Sequence, residues 1–338
     1  MRKRSLLRPF TVAVLLTVLT ALPGRSQPAA VKLPDWAKAP PNWKQKTLGG
    51  VQIWSDQEVF HQWRIQRNDV TGHFRLLDGD DRRHAWGALD HCRDKLDRLR
   101  RDRQLPPMDG TAVIVMHGLL HGHSSMRKIA RYLDDYSAYE VLNISYASTR
   151  RDIAGHARSL GSVVASLEGI DRIHFVAHSM GNLVIRHYLA DQLDRETGRL
   201  RDTRIGRVVM LGPPNDGAQL AKRYGNNALY EWVAGDAGRQ LGENWEQLQQ
   251  QLATPPGQFA IIAGGWDDKR LSNPLISGAD DLVVRVEETR LAGAHDFAVL
   301  PVVHMIMMND PTVQRYTLSF LQHGYFVAED QRKPIPKL

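Results

Sequence analysis

Cysteine is almost missing from this sequence. Its 338 residues include a single cysteine, Cys92, so no intrachain disulfide can form and a zinc site built from four cysteines is excluded. A chain of this length buries enough apolar surface to fold without cross-links. The remaining composition, 42% hydrophobic and 24% charged residues, is that of an ordinary globular protein with one large domain or two small ones.

A long apolar run is missing as well. The stretch FTVAVLLTVLTAL, residues 10–22, is shorter than the roughly 20 residues that a transmembrane helix needs. It follows the basic segment MRKRSLLR and precedes PGRSQ, which is the three-part pattern of a secretory signal peptide. We expect residues 1–26 to be this signal and the mature chain to be secreted or periplasmic. An uncleaved N-terminal membrane anchor is the alternative.

The mature chain would also lack a strong excess of charge. The formal charge of the whole sequence is +7, but cleavage near Ser26 removes five basic residues and no acidic one, which leaves +2. The five are Arg2, Lys3, Arg4, Arg8 and Arg25. A nearly neutral chain gives no electrostatic case for a nucleic-acid partner.

Composition and periodicity divide the region before residue 109 into two parts. Residues 27–46 are rich in proline and alanine, which predicts a linker or an arm on the surface. Residues 47–108 alternate apolar and polar residues and then carry a helical stripe, which predicts an N-terminal extension of two or three short antiparallel strands and one helix. The stripe is formed by Ala85, Leu89, Cys92, Leu96 and Leu99 and ends before Pro106 and Pro107.

Residues 109–338 are predicted to form the main domain. Apolar runs without alternation, such as TAVIVM and IHFVA, alternate there with helical stripes. This pattern predicts the α/β class, with a mostly parallel sheet and helices on both faces. Residues 216–256 interrupt it as a helical insertion, which is interpreted either as a lid that meets lipid or as a helical pair packed permanently on the core. The apolar residues behind the lid interpretation are Leu220, Tyr224, Leu229, Tyr230, Trp232 and Val233.

The stretch VAHSMG places Ser179 between a buried strand and a helix. A turn this tight strains the backbone of its central residue and leaves room only for small residues two positions before and after it. Ala177 and Gly181 meet that need, so the pattern is typical of a G-x-S-x-G nucleophile elbow with alanine in the first position. The structural alternative is a serine that caps a helix.

A serine nucleophile needs a general base and an acid, which follow an elbow in the order serine, acid, histidine. His304, after the last apolar strand and before the last helix, is the predicted base, in preference to His187, His295 and His323. The acid is expected after the FAIIAGG strand, where Asp281 is favoured and Asp280 is the alternative. Asp216, one strand earlier, is a further rival.

A tetrahedral intermediate also needs two backbone N–H donors. The amide of Met180, directly after the predicted nucleophile, is one. His117-Gly118 lets the loop after the first buried strand turn back, so the amide of Leu119 is predicted to be the other.

At these residues the sequence resembles the α/β-hydrolase superfamily, and within it bacterial lipase-like serine esterases. It is also similar to lipase-like proteins related to GPI inositol deacylases. The motifs HGLL, AHSMGN, VMLGPPNDG, DLVVRVEETRL and VVHMIMMNDP carry the resemblance over residues 110–325. Asp281 matches the family's D-G-x-V-x-V run, although Leu282 replaces its glycine and Asp280 doubles its acid.

The resemblance implies an α/β-hydrolase fold and a serine hydrolase that cleaves a small-molecule or lipid ester through an acyl-enzyme, without a cofactor or a metal. Independently of the resemblance, the apolar residues of 216–256 predict peripheral contact with a membrane or lipid surface if this insertion is a lid. Two alternatives stay open: a non-catalytic binding member of the same fold, and a metal-binding protein that uses the cluster His117, His121 and His123, with Asp280 and Asp281 as added oxygen ligands.

Overall fold

The computed structural model describes residues 52–194, 196–217, 236–237, 240, 244–265 and 280–337. The predicted signal peptide, the arm at 27–46 and all six apolar residues of the lid interpretation lie outside this part of the chain.

The main domain is built on a six-stranded parallel sheet, as predicted. Its strands, numbered after four that precede them, are β5 (Gly110–Met116), β6 (Glu140–Ile144), β7 (Ile170–His178), β8 (Ile205–Leu211), β9 (Phe259–Gly264) and β10 (Asp296–Leu300). They lie in the order β10-β9-β8-β7-β5-β6, and every neighbouring pair is parallel. All six strands therefore end at the same edge of the sheet.

Helices cover both faces of this sheet. They are α2 (Arg127–Tyr136), α3 (Ile153–Ala165), α4 (Gly181–Gln192), α5 (Trp245–Gln249), α6 (Val286–Thr289) and α7 (Pro311–His323), with 3₁₀-helices at His123–Met126, His304–Asn309 and Glu329–Gln331. Alternate residues of β5 enter different apolar clusters: Ile114 packs with α3 and α4, whereas Val113 packs with α2 and α7. A strand buried on both faces needs apolar residues at every position, which explains the unbroken run TAVIVM.

The N-terminal extension forms a separate antiparallel sheet. Its strands are β1 (Trp54–Phe60), β2 (Trp63–Asn68), β3 (Phe74–Leu77) and β4 (Arg83–Gly87), in sequential order, and the helix α1 (Leu89–Asp102) follows them. The sheet thus has four strands where two or three were predicted. Cys92 is buried on the inner face of α1, together with Leu96 and Leu99.

The predicted helical stripe begins too early. Ala85 lies in β4 and not in the helix. The strand ends at Gly87, whose φ is +122°, and the helix starts only at Leu89. The spacing of Ala85 from Leu89 fits a helix by coincidence, since both residues face the same apolar cluster from different elements.

A row of polar contacts, here called the seam, joins the N-terminal sheet to the main domain. The amide of Asp56 donates to the carbonyl of Ser145 at 2.9 Å, and the amide of Ser145 donates back to Asp56 Oδ2 at 2.6 Å. Ala147 donates its amide to Ser55 Oγ at 3.1 Å. The chain after β6 is therefore held by the first strand of the extension, through groups that water does not reach.

The end of the predicted insertion packs on the core. Trp245 and Leu248, on α5, are 4% and 1% exposed and belong to the same apolar cluster as α4. Within the described ranges, no helix is both long and apolar enough to cross a bilayer.

Candidate active site

Ser179 lies at the sharp turn between β7 and α4. Its φ is +52°, a left-handed conformation that costs a residue other than glycine roughly 1–2 kcal/mol. The amide of Ser179 donates to the carbonyl of Leu211 at 2.8 Å, and its carbonyl accepts the Asn182 side chain at 2.9 Å. These bonds hold the strained turn, so its half-buried side chain stands at the edge of the sheet.

The small neighbours of Ser179 are needed for packing. Ala177 is fully buried, and a Cβ atom on Gly181 would lie 2.7 Å from the carbonyl oxygen of His117. Any larger residue at position 181 would therefore push away the loop after β5. This is the steric requirement behind the elbow pattern.

The structure brings His304 and Asp281 together. His304 Nδ1 lies 2.6 Å from Asp281 Oδ2, and the amide of His304 donates to the Asp281 carbonyl at 3.0 Å. Asp281 Oδ1 accepts the amides of Val283 and Val284 at 3.1 and 2.7 Å. The carboxylate thus fixes the imidazole with its proton on Nδ1, and Nε2 keeps the lone pair that a general base requires.

His304 lies close to the carboxyl ends of β7 and β8, and Ser179 directly follows β7. A Cβ atom on Gly212 would lie 3.0 Å from His304 Nδ1, and Gly212 directly follows the residue that binds the amide of Ser179. His178 Nε2 donates to the His304 carbonyl at 2.9 Å, with the two ring centroids 4.6 Å apart. The predicted base and nucleophile therefore share one end of the sheet.

The two rival acids have other contacts. Asp280 is buried, and its Oδ1 accepts the amide of Leu282 at 2.7 Å. Asp216 is exposed, and its amide donates to the Glu288 carbonyl at 3.0 Å. Leu282 has a φ of +80°, which explains physically why a glycine suits that position.

The ring of His117 holds the loop after β5 through hydrogen bonds. Tyr146 donates its amide to His117 Nε2 at 3.3 Å, so Nδ1 carries the proton and donates to the Gly118 carbonyl at 2.9 Å. Burial lowers the pKa of His117 to about 3, which keeps the ring neutral. Because the Gly118 carbonyl and the Leu119 N–H belong to one peptide group, this bond also sets the direction of that N–H.

Two amides beside Ser179 are available to a substrate. The N–H groups of Leu119 and Met180 donate to no acceptor in the described part of the chain. A Cβ atom on Gly118 would lie 3.0 Å from Ser179 Cβ, so the loop approaches the serine as closely as a glycine permits. This arrangement is able to hold the oxygen of a tetrahedral intermediate.

A family model agrees with this geometry. The model of the alpha/beta hydrolase family matches residues 112–331, about two thirds of the sequence. The chain belongs to the alpha/beta hydrolase family. The match includes Ser179, Asp281 and His304 and begins after the N-terminal sheet.

Solved structures of lipases and esterases are similar at low identity. The mature lipase BlEst2 of Bacillus licheniformis is 16% identical over 64% of this chain and 92% of its own, with a TM-score of 0.46. The metagenomic carboxyl esterase MGS0156 is 18% identical over 57% of this chain and 64% of its own, with a TM-score of 0.46. Phospholipase PlaB of Legionella pneumophila, in complex with thio-NAD, is 18% identical over 53% of this chain and has a TM-score of 0.43. The chain covers 44% of the length of PlaB. No curated protein matches the sequence significantly.

The histidine cluster of the metal alternative is not assembled in this alpha/beta hydrolase. The ring of His117 forms hydrogen bonds with the Tyr146 amide and the Gly118 carbonyl. The ring of His121 lies next to that of His178, with the two ring centroids 5.9 Å apart. His123 Nε2 lies 3.7 Å from Asp81. Among the described residues, no group of three metal-binding side chains converges. The three histidines are close in sequence, but a turning loop sends their rings in different directions.

Two residues at the site escaped the sequence analysis. His178, next to Ser179, ties the end of β7 to His304, and burial holds its pKa well below the usual range so that it stays neutral. Its position within VAHSMG was the available signal. Gln52, from the N-terminal extension, binds the loop after β5, and nothing in its sequence surroundings indicates this contact.

Proposed function

We propose that this alpha/beta hydrolase is an exported serine hydrolase that cleaves carboxylic esters through an acyl-enzyme on Ser179. The observation that carries the proposal is the buried pair of His304 and Asp281 at the sheet edge where Ser179 occupies a strained turn. Export rests on the signal-peptide pattern of residues 1–26.

In the first half of the reaction, His304 Nε2 removes the proton of Ser179 as the serine oxygen attacks the ester carbonyl. The N–H groups of Leu119 and Met180 receive the negative charge on the carbonyl oxygen. The imidazolium then gives its proton to the leaving alcohol, and the acyl group stays on Ser179. Asp281 keeps the ring oriented and stabilises its positive charge without taking the proton.

In the second half, water replaces the alcohol. His304 removes a proton from the water, the resulting hydroxide attacks the acyl-enzyme, and the same two amides stabilise the second tetrahedral intermediate. Collapse of this intermediate returns the proton to Ser179 and releases the carboxylic acid.

An apolar acyl group is the substrate class that we propose. Large apolar side chains are exposed on the loops that carry the site residues, with fractional exposures between 36% and 56%. They are Leu120, Leu282, Met305 and Ile306. Such a rim suits an apolar ester or a lipid surface, to which residues 216–256 would add further contacts.

A fluorophosphonate probe tests the proposal, because it reacts only with an activated serine. The purified protein should be labelled and should hydrolyse p-nitrophenyl esters, whereas Ser179→Ala should lose both properties. Ser124→Ala removes an exposed serine of the 3₁₀-helix His123–Met126 and should behave as the wild type. Equal labelling of Ser179→Ala and wild type, or a folded wild type inert in both assays, would dismiss the assignment.

A further inference from the structure

We infer that Gln52 is a positioning residue for the oxyanion loop, defined here as residues 117–121. Gln52 lies in the turn before β1, so the N-terminal extension takes part in the proposed active site. The inference rests on the proposed function, in which the amide of Leu119 receives the developing charge.

Gln52 binds the oxyanion loop directly and through one serine. Its Nε2 donates to the carbonyl of His121 at 2.9 Å. Its Oε1 accepts the hydroxyl of Ser148 at 3.1 Å, and Ser148 Oγ in turn accepts the amide of Leu120 at 3.0 Å. One side chain therefore fixes two consecutive residues of the loop. Thr149 Oγ1 donates to the same Oε1 at 3.1 Å, which orients the glutamine amide.

The loop depends on such external bonds. Its residues belong to no helix or strand, and Leu120 has an unfavourable φ of +62°. The backbone bond within the loop, from the His121 amide to the Gly118 carbonyl, is long at 3.4 Å. The ring of His117 holds the beginning of the loop, and Gln52 with Ser148 holds its end. Leu119, the proposed donor, lies between these two anchors.

Gln52 is itself held in place. Its own φ is +60°, and Arg150 Nε donates to its carbonyl at 3.3 Å. Its side chain is half-buried between the oxyanion loop and the segment after β6. Since the family match begins at residue 112, this anchor comes from a part of the chain outside the common hydrolase domain.

The test compares Gln52→Met with Gln57→Met. Gln57 lies in β1 of the same N-terminal extension, donates to the Asp56 carbonyl at 3.0 Å and forms no hydrogen bond with the loop in the described part of the chain. Hydrogen–deuterium exchange should become faster in peptides covering residues 117–122 for Gln52→Met and should stay unchanged for Gln57→Met. This readout is independent of activity.

Steady-state kinetics then measure whether the loosened loop stabilises the oxyanion less well. For a p-nitrophenyl ester, kcat of Gln52→Met should fall about tenfold with little change in KM, which is less than the ~10²–10³-fold loss caused by removing an oxyanion donor itself. The inhibition constant of a trifluoromethyl ketone, which forms a tetrahedral oxyanion on serine, should rise by a similar factor. Titration with the phosphonate should still count the same number of active serines.

Unchanged exchange in Gln52→Met would overturn the inference, and so would a loss of activity that only reflects fewer titratable sites. If the loop loosens but the wild type neither hydrolyses esters nor reacts with the probe, the proposed function fails while the anchoring of the loop by Gln52 stands.

Discussion

The carboxyl edge of the central sheet and the seam of the N-terminal sheet both hold buried polar groups, but they use them differently. At the seam, Asp56 binds the amide of Ser145 and the side chain of Gln66, and Gln66 binds Arg75. The donors and acceptors in these bonds are therefore satisfied by other groups of the protein. At the edge, Asp281 binds Nδ1 of His304, and the lone pair on the other ring nitrogen, Nε2, stays available to a substrate.

The two regions differ in what their buried polar groups bind, and this difference separates a structural polar group from a chemically reactive one. A buried group whose partners are all in the protein contributes to stability, because breaking its bonds leaves unsatisfied atoms. A group oriented by one partner and open on its other side is available to a substrate. Substitutions at the edge should therefore change activity more than stability, and substitutions at the seam should do the reverse.

The largest expected effect is on catalysis at the edge. In Asp281→Asn, the amide side chain would favour the wrong imidazole tautomer, so kcat for a p-nitrophenyl ester should fall by about 10³–10⁴-fold. The free energy of unfolding should change by about 1 kcal/mol or less, since the asparagine oxygen still accepts the amides of Val283 and Val284. Steady-state kinetics and urea denaturation measure the two quantities.

Asp280→Asn is the matched control for that substitution. It removes a neighbouring buried carboxylate but keeps an oxygen for the amide of Leu282, so kcat should stay within about tenfold of the wild type. The reverse order of the two effects would transfer the role of the acid from Asp281 to Asp280.

The edge was largely accessible from the sequence because its elements are local. Most strands contain an apolar run of four or more residues, such as AVIVM in β5, and VAHSMG contains both the proposed nucleophile and the small residues that its turn requires. Parallel strands then bring loops that are distant in sequence to one edge, which is why His304 and the pair Asp280-Asp281 could be proposed from their positions after the last two strands. The preference for Asp281 over Asp280 came from the resemblance to the family's acid motif, and the contact between Asp281 and His304 became visible only in the structure, because adjacent residues of a turn point to different sides.

The seam could not be predicted in the same way. Asp56 and Ser145 are 89 residues apart in the sequence. Asp56, Gln66 and Arg75 are polar residues in strands where apolar and polar residues alternate, and the polar positions of such strands normally face water. Their burial results from the docking of one sheet on another domain, and no local pattern encodes that docking. The same reason explains why Gln52 was missed.

The next largest effect is on stability at the seam. In Asp56→Ala, the Ser145 amide and the Gln66 side chain lose a buried acceptor, which should lower the free energy of unfolding by about 3 kcal/mol. Gln57→Ala, at the next residue of β1, should cost less than about 1 kcal/mol. Urea denaturation measures both values, and equal values would show that the buried bonds of Asp56 at the seam do not contribute to stability.

The pH dependence of this effect has a definite sign. Burial raises the pKa of Asp56 above its usual 3.8, against the opposing influence of Arg64 and the Ser145 amide. The folded state thus binds this proton more tightly than the unfolded chain, and the contribution of Asp56 to stability decreases as the pH rises through the folded-state pKa. The stability difference between wild type and Asp56→Ala should therefore shrink from pH 4 to pH 7, whereas a widening difference would mean that the seam favours the carboxylate.

The smallest effect tests whether the edge also stores strain outside the nucleophile turn. Leu282 takes a φ of +80° directly after Asp281, in a conformation that glycine adopts without a steric cost. Leu282→Ala removes the same side chain but keeps the strain, so Leu282→Gly should be more stable than Leu282→Ala by about 1 kcal/mol. Because alanine is normally the more stabilising of the two residues, this reversed order isolates the backbone conformation from the loss of side-chain contacts. Equal or opposite stabilities in urea would show that the turn at Leu282 relaxes at no cost, and would leave Ser179 and Leu120, with φ values of +52° and +62°, as the strained residues to examine at this edge.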